Sequence, residues 1–71
     1  MRSLIKDALE KKYIGVIAEC NANIEIYMRN SVGIGEHPDI LLAIDQQLAL
    51  MAEAEDKLSL LDKFKWNHNT Q

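Results

Sequence analysis

NSVGIGEHPDI, residues 30 to 40, interrupts a sequence that otherwise favours helix over most of its length. Asn30 and Gly33 can end a helix in left-handed geometry, because asparagine and glycine tolerate positive φ values. Pro38 disfavours helical geometry in the residue before it and suits the first position of a new helix. The segment therefore predicts a turn over about residues 30 to 37 that connects two helices.

The first helix is predicted over about residues 3 to 29, with Ser3 as its N-cap. Apolar residues recur along it at intervals of three and four, which only a helix gathers on one face. Their mean interval of about 3.67 predicts a nearly straight helix rather than a strict heptad coiled coil. Gly15 is interpreted as a point where a neighbouring backbone comes close. The predicted stripe consists of Ile5, Leu9, Tyr13, Val16, Cys20, Ile24 and Tyr27, widened by Leu4, Ala8, Ile17 and Met28.

The second helix is predicted over about residues 38 to 65, with His37 as its N-cap, followed by a frayed tail at residues 66 to 71. Two helices of similar length with a short connection make an antiparallel hairpin. The predicted fold class is therefore all-α, a two-helix hairpin in a single domain, residues 1 to 71. Its second apolar row consists of Ile40 or Leu41, Ile44, Leu48, Met51, Ala54, Leu58, Leu61 and Phe64.

The apolar surface of both helices is wider than the strip that one partner helix can cover. Residues such as Ile14, Ile26 and Leu42 lie outside the main rows. We expect other copies of the chain to cover this surface, which predicts a homo-oligomeric helical bundle, most simply with two-fold symmetry.

Charge and composition argue against several classes of protein. Eleven acidic and eight basic residues give a net charge of −3, which disfavours general nucleic-acid binding and association with an acidic membrane surface. No apolar run approaches the ~20 residues that span a bilayer, and the N-terminus lacks the apolar region of a secretory signal. We therefore expect a cytoplasmic protein, in which the single cysteine, Cys20, is a small buried hydrophobe.

The turn also combines groups that bind anions. Free N–H groups at a helix start and a glycine-rich backbone attract phosphate, arginine binds phosphate in bidentate fashion, and tyrosine can stack on a base. Glu36 and Asp39 would repel phosphate unless they contact ribose or base donors. Two interpretations stay open, a ligand site between subunits and a purely structural turn. The candidate ligand-binding residues are Tyr27, Arg29, Asn30, Gly33, Gly35, Glu36 and His37.

Catalysis is not expected from this sequence. Glu36, His37 and Asp39 are neighbours in one turn, and such a group rarely converges on one metal ion without distant ligands. GIGEHPD lacks the Lys and Ser/Thr ending of a Walker loop, and no nucleophile elbow is present. We therefore predict no catalytic residues, no metal site and no cofactor.

Residues 30 to 58, NSVGIGEHPDILLAIDQQLALMAEAEDKL, resemble small tailed-bacteriophage proteins in which an N-[PS]-V-G-I-G-E-H-P-D motif precedes an acidic, alanine-rich helix. The architecture is also similar to that of phage helical-hairpin sponges, anti-defence proteins that sequester nucleotide signals of bacterial immunity. The resemblance implies a non-catalytic phage accessory protein of the host cytoplasm that holds such a signal between its subunits. The alternative is a virion or interaction protein, an adaptor in which the bundle and its turn are structural.

Overall fold

The protein is described by a computed structural model that covers residues 3 to 30 and 37 to 66, except for the side chains of Asn30, His37 and Pro38. Predictions for the segments between and beyond these ranges lie outside the described residues. Within the two ranges the chain forms two helices that pack against each other, and no strand. The helices are α1, Leu4–Asn30, and α2, His37–Leu61.

Two contacts between the helices show that they run antiparallel. The ammonium of Lys6, near the start of α1, lies 3.3 Å from a carboxylate oxygen of Asp62, directly after the end of α2. Nearer the turn, Nδ2 of Asn23 donates a hydrogen bond to Oε1 of Gln47 at 3.1 Å. The all-α hairpin predicted from the sequence is therefore confirmed, whereas its assembly into a bundle stays a prediction.

Local hydrogen bonds explain where α1 begins and where α2 ends. Oγ of Ser3 accepts the backbone N–H of Lys6 at 3.2 Å, as expected of an N-cap residue. α2 ends at Leu61 rather than near Lys65. The backbone N–H of Lys63 bonds a carbonyl three residues back at 3.0 Å, so the chain tightens into a turn there instead of continuing the helix.

The residues along the contact between the helices form a seam of buried and half-buried positions spaced alternately by three and four. The mean spacing of about 3.5 is the heptad spacing of a coiled coil, and not the longer interval that the apolar residues alone indicated. The seam consists of Lys6, Leu9, Tyr13, Val16, Cys20, Asn23 and Tyr27 on α1 and of Ile40, Ile44, Gln47, Met51, Ala54, Leu58 and Leu61 on α2.

Some residues of both predicted apolar rows lie outside the heptad seam, so the prediction that they face the other helix is wrong. Ile5 is 66% exposed and Leu48 is 50% exposed, while the adjacent polar residues Lys6 and Gln47 occupy the seam. Residues spaced by four move gradually around the helix and away from the line of contact with the other helix. The residue next to them in sequence then occupies the contact, even where that residue is polar. The other predicted core residues that are exposed are Leu4, Ala8, Met28, Leu41 and Phe64.

The buried core of this hairpin is small. Among the described residues, only Cys20, Ala54 and Leu61 are buried, at 2%, 3% and 6% exposure. Cys20 is therefore the buried hydrophobe that the sequence predicted. Because burial contributes only ~25 cal/mol per Å² of apolar surface, a seam of half-buried side chains gives the isolated hairpin little stability.

Gly15 lies at an exposed position within α1. A Cβ atom placed on it would meet no other atom within 4 Å, so the interpretation that a neighbouring backbone comes close is wrong for the hairpin. Nothing in the hairpin therefore offsets the conformational entropy that glycine loses in a helix.

Gly15→Ala is expected to raise the free energy of unfolding by about 0.5 to 1 kcal/mol, because alanine loses less backbone entropy in a helix. Ala18→Gly, at another exposed position of α1, is the matched control and should lower it by a similar amount. Urea unfolding measures both. A destabilised Gly15→Ala variant would mean that another chain packs closely on this side of α1.

The hydrogen bond between Asn23 and Gln47 makes one layer of the seam polar. Removing either amide leaves the other partly buried without that bond, so Asn23→Ala and Gln47→Ala are each expected to cost about 1 kcal/mol of unfolding free energy. The double variant should cost less than the two single costs combined. A double-mutant cycle of urea unfolding measures this coupling. Strictly additive costs would show that the two amides do not support each other.

Candidate functional site

An open groove lies at the end of the hairpin away from the turn. It encloses about 240 Å³, which is slightly below the usual range for pockets that bind drug-sized ligands, ~300 to 1,000 Å³. Its size suits one large side chain or a small organic group. The lining residues are Tyr13 of α1, Lys57, Leu60 and Leu61 of α2, and Phe64 and Trp66, which follow α2.

One wall of the groove forms because the chain folds back after α2 ends. The indole Nε1–H of Trp66 donates a hydrogen bond to the carbonyl oxygen of Leu61 at 2.6 Å. The last carbonyls of a helix lack partners within the helix, and at this one the indole adds a short hydrogen bond to the long one from the backbone N–H of Phe64, 3.5 Å away. Phe64 packs against Trp66 edge to face, with ring centroids 6.1 Å apart and an angle of 71° between the planes.

Among the described residues that line the groove, Lys57 is the cation. Nζ of Lys57 lies 5.6 Å from the centroid of the Tyr13 ring, within cation–π range. It is also 3.9 Å from a carboxylate oxygen of Glu53, one helical turn earlier. The lining residues themselves include no carboxylate, imidazole or thiol. The groove is therefore suited to holding an apolar group with a negative charge directed toward its rim.

The structure places two of the sequence-predicted ligand residues, Tyr27 and Arg29, at the turn end of α1. Tyr27 is half-buried and belongs to the seam. Nη2 of Arg29 lies 2.7 Å from Oε2 of Glu25, one turn earlier, and both side chains are well exposed. Arg29 therefore already has a carboxylate partner, although an exposed pair of this spacing contributes only a few tenths of a kcal/mol.

The remaining candidate ligand residues cannot be located with their side chains. Asn30 ends α1 and His37 begins α2, but their side chains are outside the described residues. Gly33, Gly35 and Glu36 also lie outside them. Tyr27, Arg29 and the start of α2 share one end of the hairpin, and the ligand site itself stays a prediction.

Sequence reasoning did not find the groove at the opposite end. It predicted that α2 continues to about Lys65, which would have made Phe64 part of the apolar row. Phe64 is instead 62% exposed. One feature of the sequence could have indicated the groove. Two aromatic residues, Phe64 and Trp66, stand close together in the lysine-rich stretch at the end of the second helical pattern.

Comparisons with known proteins yielded no relationship: no family model, curated protein or solved structure matches this chain. Neither described helix has the combination of length and hydropathy that crossing a membrane requires. Within the described residues, no cluster of three or more His, Cys, Asp or Glu side chains is arranged to hold a metal ion.

Trp66→Phe is expected to lower the free energy of unfolding by about 1 kcal/mol, because it keeps an aromatic ring but removes the hydrogen bond to Leu61. Amide hydrogen exchange in the last turn of α2 should accelerate as that turn frays. Lys65→Ala, at an exposed position directly before Trp66, is the control and should change neither quantity appreciably. Unaltered exchange in Trp66→Phe would show that the indole does not cap α2.

Proposed function

We propose that the protein is a non-catalytic accessory protein of a bacteriophage that acts as a homo-oligomeric helical bundle. Its subunits hold a nucleotide-type immune signalling molecule in pockets between them, in the cytoplasm of the infected cell. The observation that carries the proposal is the exposed apolar surface of the hairpin. Eleven large hydrophobic side chains are between 47% and 82% exposed, against three buried side chains among the described residues. Such a surface is typical of a chain that functions with others.

The turn end offers the groups that would bind a nucleotide. Arg29 can turn from Glu25 to a phosphate at small cost, because the ion pair between them is exposed to solvent. Tyr27 is partly accessible, and because two residues turn the helix by about 200°, its ring projects from the other side of α1 than Arg29 does. The start of α2 lies at the same end, and the N-terminus of a helix favours an anion. Copies brought together by their apolar faces would place several such ends around one ligand.

A second candidate function is favoured by the groove at the other end. Its aromatic and leucine lining, with Lys57 at the rim, suits an apolar side chain of a partner protein. In that case the hairpin is an interaction or virion adaptor, and the turn is structural. The ion pair of Arg29 with Glu25 is then simply part of a solvated helix surface.

The experiment that tests the first function combines native mass spectrometry with calorimetry against a panel of cyclic and linear nucleotides. We expect an oligomer of the 8.1 kDa chain that binds at least one nucleotide, with binding lost in Arg29→Ala and His37→Ala. Lys12→Ala, at an exposed position in the other half of α1, is the matched control and should bind like the wild type. Equal binding by the Arg29 and Lys12 variants, or no binding by any oligomer, would contradict nucleotide sequestration and favour the adaptor.

A further inference from the structure

The groove next to Trp66 combines an apolar interior with a positive charge at its rim. Apart from Lys57, the residues that line it are aromatic residues and leucines. Leu61 is buried at 6% exposure, whereas Leu60 and Phe64 are 47% and 62% exposed. Apolar walls with a few placed polar groups are typical of ligand sites, in which the walls supply affinity and the polar groups orient the ligand. The groove therefore has the composition of a binding site.

The ammonium of Lys57 retains hydrogen-bond donors for a ligand. Its Nζ lies 3.9 Å from a carboxylate oxygen of Glu53, which is longer than the ~3.2 Å limit of a good N–H···O hydrogen bond. The ion pair at the turn end is different, because Nη2 of Arg29 donates to Glu25 at 2.7 Å. Within the described ranges, the other contact of the Lys57 ammonium is with the ring of Tyr13. An oxygen atom held at the rim can therefore accept an N–H of Lys57 without displacing a short hydrogen bond.

The charges around the groove favour a partner with one carboxylate. Lys57 and Glu53 have side chains that are 48% and 63% exposed, and an ion pair so open to solvent contributes little, so a closer carboxylate can replace Glu53. The described lining residues include no acidic side chain that would repel it. The whole chain carries a net charge of −3, which opposes partners with many acidic groups.

The shape of the groove favours the side chain of a peptide over a free small molecule. The volume of about 240 Å³ accommodates one large side chain. The groove is open to solvent, and Leu60 and Phe64 in its lining remain exposed. A small molecule confined to the groove leaves the outer parts of these two side chains in water, whereas the backbone of a bound peptide covers them as it enters and leaves. Because buried apolar area is the main source of affinity, a peptide gains more from this surface.

We propose that the groove binds a partner protein through a segment in which a large apolar side chain directly adjoins a carboxylate. The apolar side chain enters among Tyr13, Leu61 and Trp66, and the carboxylate accepts an N–H of Lys57. This inference rests on the second candidate function, the adaptor, and names the chemistry of its partner. It does not depend on nucleotide binding at the turn end.

The fluorescence of Trp66 provides the measurement. Trp66 is the only tryptophan of the chain and lines the groove, so its emission reports on an occupant. Two capped peptides, acetyl-Gly-Asp-Phe-Gly-amide and acetyl-Gly-Asn-Phe-Gly-amide, differ only in the replacement of a carboxylate by an amide. Acetyl-Gly-Asp-Ala-Gly-amide lacks the large side chain, and octanoate is a free apolar acid. Each probe is titrated into the full chain at constant ionic strength, because salt screens exposed charges.

The peptide with Asp and Phe is expected to bind roughly threefold more tightly than the peptide with Asn and Phe, as a partly exposed ion pair allows. The peptide with Asp and Ala should bind roughly tenfold more weakly than the peptide with Asp and Phe, because it buries no large side chain. Lys57→Gln should remove the preference for Asp over Asn, and Lys57→Arg should keep it. Lys12→Gln makes the same change of charge at an exposed position outside the groove lining, and this matched control should leave the preference unchanged.

The outcomes separate this inference from the functions proposed above. Equal binding of the two Phe peptides, or a preference for Asp that persists in Lys57→Gln, overturns the role of the carboxylate, while an apolar docking groove stands. Tighter binding of octanoate than of any peptide identifies a free apolar acid as the ligand and overturns the protein partner. If no probe changes the emission of Trp66, the groove is not a binding site and the adaptor function loses its support, whereas nucleotide sequestration is unaffected.

The comparison of the two Phe peptides is made on the wild type. It therefore remains decisive even if Lys57→Gln loses helix content, which circular dichroism measures. Little loss is expected, because glutamine forms helices almost as well as lysine and the ion pair that is removed is exposed.

Discussion

Each helix of a two-helix hairpin has one neighbour, and this constraint governs the rest of the structure. Helices touch along a narrow strip, so a helix with an apolar surface wider than that strip leaves the remainder in solvent. Here the strip is a heptad seam with three buried residues, Cys20, Ala54 and Leu61. The apolar side chains outside the seam lower the free energy of the chain only when another surface covers them.

The spacing of the apolar residues was sufficient to predict both helices and the burial of Cys20. Together with the short connection, it also predicted that the helices are antiparallel. It was insufficient to choose between adjacent residues at the contact. Apolarity favoured Ile5 and Leu48, whereas the paired helices place Lys6 and Gln47 in the seam. A polar residue can occupy such a position when its polar end finds a partner, as Lys6 does with Asp62 and Gln47 with Asn23. Those partners are 56 and 24 residues away in sequence, so no local pattern could identify them.

The two candidate sites show the same division between local and distant information. The approach of Arg29 to Glu25 follows from their spacing of four and could be read from the sequence. The groove could not, because it depends on α2 stopping at Leu61 and on Trp66 returning to that residue's carbonyl. The polar Asn23 and Gln47 layer has a further consequence, since a polar pair in a seam favours one register over its alternatives.

The dependence of the thermal unfolding midpoint on protein concentration tests the central claim most directly. If copies must cover one another's apolar surface, unfolding is coupled to dissociation, and Tm should rise by several degrees over a roughly 100-fold increase in concentration. A cooperative transition whose midpoint is the same at all concentrations, down to those at which the chain sediments as a single hairpin, would contradict the account.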